Sequence, residues 1–174
     1  MKLNNARNLM RILITNDDGF FAPGLQTLYE KLVTNPSYDV YIVAPDTQRS
    51  ATGHSITLFD PLFTVEHSLG ENKTGYAVKG TPADCVKLAI QGNLIPKPDL
   101  VISGINCGPN LGTDVFYSGT VSAALEAVLL GVPSLAVSLA SFIYCNYLPA
   151  AAATFNLLDK IISHHDNGLI NINI

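Results

Sequence analysis

The sequence has no tryptophan, and aromatic residues fill only 8% and charged residues 14% of its 174 positions. So few charges beside 48% apolar residues exclude disorder as the main state, because such a chain can bury enough apolar surface to offset the entropy lost on folding. Lys and Arg are scattered and the formal charge is −4, so no basic stripe exists to displace counterions from a nucleic-acid backbone. A small anion stays within reach if a metal or a helix N-terminus supplies the positive field. Cysteine is scarce too. Cys85, Cys107 and Cys145 are odd in number, widely spaced and without a Cys-x-x-Cys pair, which indicates neither a zinc site nor a disulfide framework. They are expected to be buried thiols in a reducing, cytoplasmic compartment. No apolar run reaches the length of a membrane span. Residues 1–9 (MKLNNARNL) lack the apolar core of a signal peptide and are expected to be a dispensable leader, with Met10 the alternative start.

What is plentiful is Ala, Val, Ile, Leu and Gly, the mixture of a parallel sheet covered on both faces. Aliphatic runs at 11–15, 39–44, 99–103 and 133–138 read as strands, and LININI at 169–174 as a last one. Helical periodicity begins near Pro23, at Thr81-Pro82-Ala83-Asp84 (Thr as N-cap, Pro at N1, an acid at N3), at Thr120 and at Leu148. Residues 55–78 are rich in β-formers and predict a hairpin excursion. With no repeat, low-complexity tract or linker, the expectation is one α/β domain over 1–174. It is a three-layer, doubly wound, mostly parallel Rossmann-like sheet with right-handed crossovers. In such sheets ligands bind beyond the C-terminal ends of the strands, so polar residues just after strands are the candidates.

Four segments pass that filter. Thr15-Asn16-Asp17-Asp18-Gly19 follows the first strand; once the strand has ended, adjacent carboxylates can converge, and they repel unless a cation sits between them. The same residues also suit a plain polar turn. The stretch Ala44 to Ser55 follows the second strand with hydroxyls, Arg49 and His54, and suits an ordinary solvated loop equally. His54 reads as a loop residue rather than a catalytic base. Residues 103–112 (SGINCGPNLG) follow a central strand, and their glycines would let backbone amides approach an anion. Tyr117-Ser118-Gly119-Thr120 opens a helix whose free N–H groups form a phosphate seat, unless Ser118 or Thr120 merely caps it. Together they gather carboxylate, hydroxyl and carboxamide oxygens at one edge, which favours magnesium or manganese over zinc.

These segments, in this order, closely resemble the SurE family, stationary-phase survival proteins with 5′/3′-nucleotidase activity. The matching stretches include RILITNDDGFFAPGLQTL, VAPDTQRSATGHSITL, VKGTPADCVKLA, PDLVISGINCGPNLGTDVFYSGTVSAALEA and GVPSLAVSL, covering Met10 to about Leu139. The resemblance implies a Rossmann-like fold and metal-dependent hydrolysis of nucleoside 5′- and 3′-monophosphates, short polyphosphate being a further substrate of some members. It implies one divalent cation, Mg²⁺ or Mn²⁺, per subunit, on Asp17 and Asp18 of NDDG, Ser50 of the second loop and Asn106 of SGIN. Ala51 departs from the Gly that follows this Ser in many members. Family members also continue past LININI by roughly half as much chain again, with an arm and helix used in subunit exchange. A family-like homodimer or tetramer is accordingly a weaker expectation here.

The expected chemistry is a phosphomonoesterase with Asp17 and Asp18 as catalytic carboxylates, Asp18 or else Asp17 doubling as general base, and Asn110, Ser118, Gly119 and Thr120 at the phosphate. Two rivals stand beside it. One is a truncated, non-catalytic nucleotide- and metal-binding remnant. The other is a receiver-type signalling domain, which would need a phosphoacceptor Asp where Ser103-Gly104-Ile105-Asn106 stands and a Lys after PSLAVS.

Overall fold

Along Met10–Thr15, strand β1, side chains alternate between faces, and both faces are apolar: Ile12 and Ile14 enter one core and Leu13 another. A strand buried on both sides calls for helices on both sides, and the computed structural model shows them. It describes residues 9–49, 52–70, 73–164 and 168–174. After β1 come α1 (Pro23–Leu32), β2 (Tyr38–Pro45), β3 (Thr64–Gly70), β4 (Lys73–Val78), α2 (Pro82–Ile90) and β5 (Leu100–Asn106). A short 3-10 turn (Gly112–Phe116) leads to α3 (Gly119–Leu129), β6 (Ser134–Ser138), α4 (Leu148–His164) and β7 (Leu169–Asn173).

The seven strands form one sheet in the order β3-β4-β2-β1-β5-β6-β7, parallel throughout except for β3, which runs antiparallel to β4. The three-layer, doubly wound Rossmann-like arrangement is therefore as expected. Leu25, Leu28 and Leu32 of α1 and Ala150, Ala151 and Leu158 of α4 bury one face with Ile14, Ile42, Ile102 and Leu135. Cys85, Val86 and Ala89 of α2 and Ala123 and Ala127 of α3 bury the other with Leu13, Val43 and Val101. The Thr81 capping box that opens α2 is complete, its hydroxyl accepting from the Asp84 N–H while the Asp84 carboxylate accepts from the Thr81 N–H.

Three sequence expectations change. The hairpin excursion narrows to Thr64–Gly70 and Lys73–Val78, because residues 55–63 spend their polar groups on α2 instead of a ladder: Thr57 donates twice to Asp84, and Ser55 O accepts from Thr81 Oγ1. The crossovers are not all of one hand. With the sheet read from β3, α1 carries the chain one way over one face, and α2 and α3 carry it the other way over the opposite face, so these three share a hand. From β6 to β7, α4 travels in the α3 direction but on the α1 face, giving the rare opposite hand. The reason is coverage: α3 already lies against β6 and β7, while Ile102, Leu135 and Val137 would be bare on the other face without α4. Finally, Cys107 and Cys145 are not buried thiols; they form a disulfide between the loops after β5 and β6, and of the three only Cys85 is a buried free thiol. The reducing compartment inferred from three free thiols loses that support.

Candidate metal and phosphate site

The sheet changes winding direction at β1 and β5, which lie side by side with Thr15 in register with Ser103. The crevice beyond their C-terminal ends is where the chain turns through Asn16–Gly19 on one side and Asn106–Asn110 on the other. Asn16 closes its turn itself, donating from Nδ2 to Gly19 O (3.0 Å) and accepting the Gly19 N–H on Oδ1 (3.1 Å). Asp17 and Asp18 are thereby set at the strand end.

Asp17 is buried, and its Oδ1 accepts the Thr120 hydroxyl proton at 2.5 Å from the first turn of α3. The approach is possible because residue 119 is glycine: a Cβ there would lie 2.7 Å from Asp17 Cβ and 2.9 Å from Oδ2. Burial pushes the Asp17 carboxyl from 3.8 up to about 6; the Thr120 hydroxyl opposes the rise and the Asp18 charge adds to it. Asp18, half-buried, is also raised, chiefly by burial, with the Cys107 N–H and the Gln48 side chain pulling the other way. Gln48 Nε2 stands 3.4 Å from Asp18 Oδ1, and the Arg49 N–H donates to Asp17 O at 2.7 Å, so the loop after β2 is fastened to the same turn.

Asn106 ends β5. Its Nδ2 donates to Gly108 O at 2.8 Å, which leaves the carboxamide oxygen as its open acceptor. Two carboxylates raised by burial, one of them further by its neighbour's charge, and one carboxamide oxygen are a donor set suited to a hard divalent cation. Among the described residues no group of three or more His, Cys, Asp or Glu is placed to hold a metal, so ligation here would include amide or hydroxyl oxygen. Ser50, the fourth expected ligand, lies outside the described residues. Thr15 Oγ1 and Ser103 Oγ are buried beneath the crevice with no hydrogen-bond partner among the described residues.

The expected phosphate residues divide. Ser118 is the N-cap of α3, its Oγ accepting from the Val121 N–H at 3.1 Å. Thr120 turns to Asp17, with its N–H as well as its hydroxyl. Asn110 is buried and spent elsewhere: Nδ2 donates to Ser138 Oγ (2.8 Å), its N–H to Asn173 Oδ1 (2.8 Å), and its carbonyl accepts from Asn171 (2.9 Å). The structure thus brings Asp17, Asp18, Asn106, Gly119 and Thr120 to one crevice, and places Asn110 as the anchor of the loop beside it.

The sequence model of the family described as "Survival protein SurE" matches residues 12–174. The chain belongs to the SurE family. A SurE protein of Desulfitobacterium hafniense (strain DSM 10664 / DCB-2), named 5′-nucleotidase SurE, is 70% identical over 165 residues, which are 95% of this chain and 64% of that protein. The protein of the same name from Desulforudis audaxviator (strain MP104C) is 55% identical over 171 residues, 95% of this chain and 66% of its own length. The SurE crystal structure from Aquifex aeolicus superposes with a TM-score of 0.79 at 38% identity, covering 94% of this chain and 66% of that one. This chain therefore spans just under two thirds of the length of the SurE relatives it matches.

Several residues around the crevice of this SurE-family chain escaped sequence reasoning. Asn16, read as part of a turn, locks it. His54 Nε2 meets Glu126 Oε2 at 2.7 Å, tying the end of the loop after β2 to α3; only a buried acid on an otherwise apolar helix hinted at such a partner. Asn171 and Asn173, in a strand expected merely to end the sheet, hold Asn110; their alternation with isoleucine was the available signal.

Proposed function

We propose that this chain, as a single α/β domain, is a divalent-cation-dependent phosphomonoesterase. It would release phosphate from nucleoside 5′- and 3′-monophosphates, with short polyphosphate a further substrate. The observation that carries this reading is the burial of Asp17 beside Asp18 and the open Asn106 oxygen at the β1/β5 crevice, directly beneath the first turn of α3. The names of its relatives support the nucleotide as substrate. A cytoplasmic setting goes with that substrate, and no helix among the described residues is long and apolar enough to cross a membrane.

Asp17, Asp18, Ser50 and Asn106 would hold one Mg²⁺ or Mn²⁺. When bound, the cation supplies Lewis acidity toward the phosphoryl oxygens and an acidified water. The rest falls to the protein. Thr120 fixes the Asp17 carboxylate. Asp18, raised by burial, is the base that takes the proton of the attacking water. Water oxygen bonds to phosphorus, the ester P–O bond breaks, the nucleoside leaves as its alcohol with a proton taken from solvent on the ester oxygen, and Asp18 returns its own proton to solvent. The Ser118 hydroxyl, the Gly119 N–H and amides of residues 104–112 steady the non-bridging oxygens, with Asn110 setting the loop they come from.

A phosphate-release panel of nucleoside 5′- and 3′-monophosphates on the 174-residue chain tests this, with manganese and with EDTA in its place. Release that needs the metal is expected; equal release in EDTA defeats the proposal. The second reading is a domain that binds metal and nucleotide without turnover. Its signature would be metal-dependent AMP binding with no phosphate released.

A further inference from the structure

We propose that Phe142, on the loop between β6 and α4, is the platform on which the substrate's nucleobase stacks, held at the site mouth by the Cys107–Cys145 disulfide. The inference rests on the nucleotidase reading and supplies the element of that site which distinguishes a nucleotide from a bare sugar phosphate.

The loop of residues 139–147 is fastened to the site at several points. The Leu139 N–H donates to the carbonyl of Asn106 (2.9 Å), and Ala140 N–H to Ile174 O (2.7 Å). Cys145 is bonded to Cys107, the residue after Asn106, and the Cys107 N–H faces the Asp18 carboxylate. Tyr147 closes the loop with its ring against Gly24 of α1. Between these ties stands Phe142. Its ring lies on the backbone of Gly108, so close that a Cβ at 108 would sit 2.1 Å from a ring carbon, and Gly108 O is the acceptor that orients Asn106.

A phenyl ring placed this way is unusual in what it leaves open. One side is backed by a glycine whose missing side chain admits it, yet 73% of the residue stays in solvent, with Ile143 and Tyr144 beside it more than 80% exposed. A core aromatic would have both sides covered. The crevice next to it is polar and suits phosphate and ribose. A nucleobase is the flat, weakly hydrated part of the substrate, and it would extend from that crevice to a surface offering a π-face. Stacking needs no hydrogen-bond pattern, so this platform is expected to accept purines and pyrimidines with only modest preference.

AMP and ribose 5-phosphate share the phosphate and the sugar and differ by the base, so hydrolysis of the pair is the test. Phe142→Ala is expected to raise KM for AMP roughly ten-fold, the scale of one lost base–aromatic stack. KM for ribose 5-phosphate and kcat for both should stay unchanged, and Phe142→Tyr should restore the AMP value. Cys145→Ser, which frees the loop without touching the crevice, is expected to shift KM for AMP the same way by a smaller factor; wild-type behaviour of that variant overturns the part assigned to the disulfide. Equal effects of Phe142→Ala on both substrates, no effect on either, or a loss seen instead in Phe116→Ala, another exposed phenyl ring, overturns the platform. If wild type hydrolyses neither ester, the nucleotidase reading fails by itself. Metal-dependent binding of AMP against ribose 5-phosphate by calorimetry then decides the platform, equal affinities overturning it.

Discussion

Two aspartates are buried at helix N-termini along the same edge of the sheet, and they are provided for very differently. Asp84, in the first turn of α2, accepts three hydrogen bonds: from the Thr57 N–H (2.9 Å), the Thr57 hydroxyl (2.6 Å) and the Thr81 N–H (2.9 Å). Asp17, against the first turn of α3, has the Thr120 hydroxyl and N–H and its own N–H as donors but a second carboxylate for a neighbour, and burial lifts it to about 6. A buried carboxylate with a full set of donors is a structural part. One whose donors are outweighed by burial and a neighbouring carboxylate is suited to a cation.

The largest expected effect breaks the comparison on the Asp17 side. Asp17→Asn should lower metal-dependent phosphate release at least about 10²-fold while leaving the circular dichroism spectrum unchanged; near-normal hydrolysis would show that Asp17 is no more functional than Asp84. Next is the pH dependence of the metal-free chain. Asp17 holds its proton more tightly folded (about 6) than at its ordinary 3.8, so the folded state binds more protons across that window. Stability should therefore fall as pH rises from about 4 to about 6 and level off above, by about 3 kcal/mol at roughly 1.4 kcal/mol per unit. Urea unfolding with and without Asp17→Asn checks it, and the variant should flatten the curve.

Asp84→Ala takes the other side. It removes half of a capping box and strands the Thr57 and Thr81 N–H groups, for a loss of about 2 kcal/mol in urea unfolding. The specific activity of the folded fraction should hold. A collapse of activity at full folding would erase the distinction between the two acids. The smallest effect sharpens it: Thr120→Val deletes only the bond to Asp17, and should weaken manganese affinity several-fold, read by calorimetry, with stability within about 1 kcal/mol of wild type.

How far the residues spoke for themselves differs from segment to segment. The strands of the sheet were legible because buried aliphatic runs between turn residues have few other uses, and the start of α2 because Thr81, Pro82 and Asp84 are spaced for a capping box. NDDG and SGIN were legible as candidates since each follows a strand, where a doubly wound sheet keeps its ligands. The partners of the site were not. Thr120 is 103 residues from Asp17 and Asn173 is 63 from Asn110, and nothing in local pattern pairs residues at such separations. Cys107 and Cys145 failed for the same cause, together with a count of three that argued against pairing.

By itself, the order of residues determined the kinds of element, the two-sided burial of the sheet and the chemical character of the loops, for these rest on local propensity and on periods of two and 3.6. Tertiary structure alone decided that α4 crosses with the opposite hand, that Thr120 serves Asp17, and that a disulfide and Phe142 stand at the site's mouth. Those outcomes depend on which surfaces remain bare after the other elements have packed, and that is a property of the assembled layers rather than of any one segment.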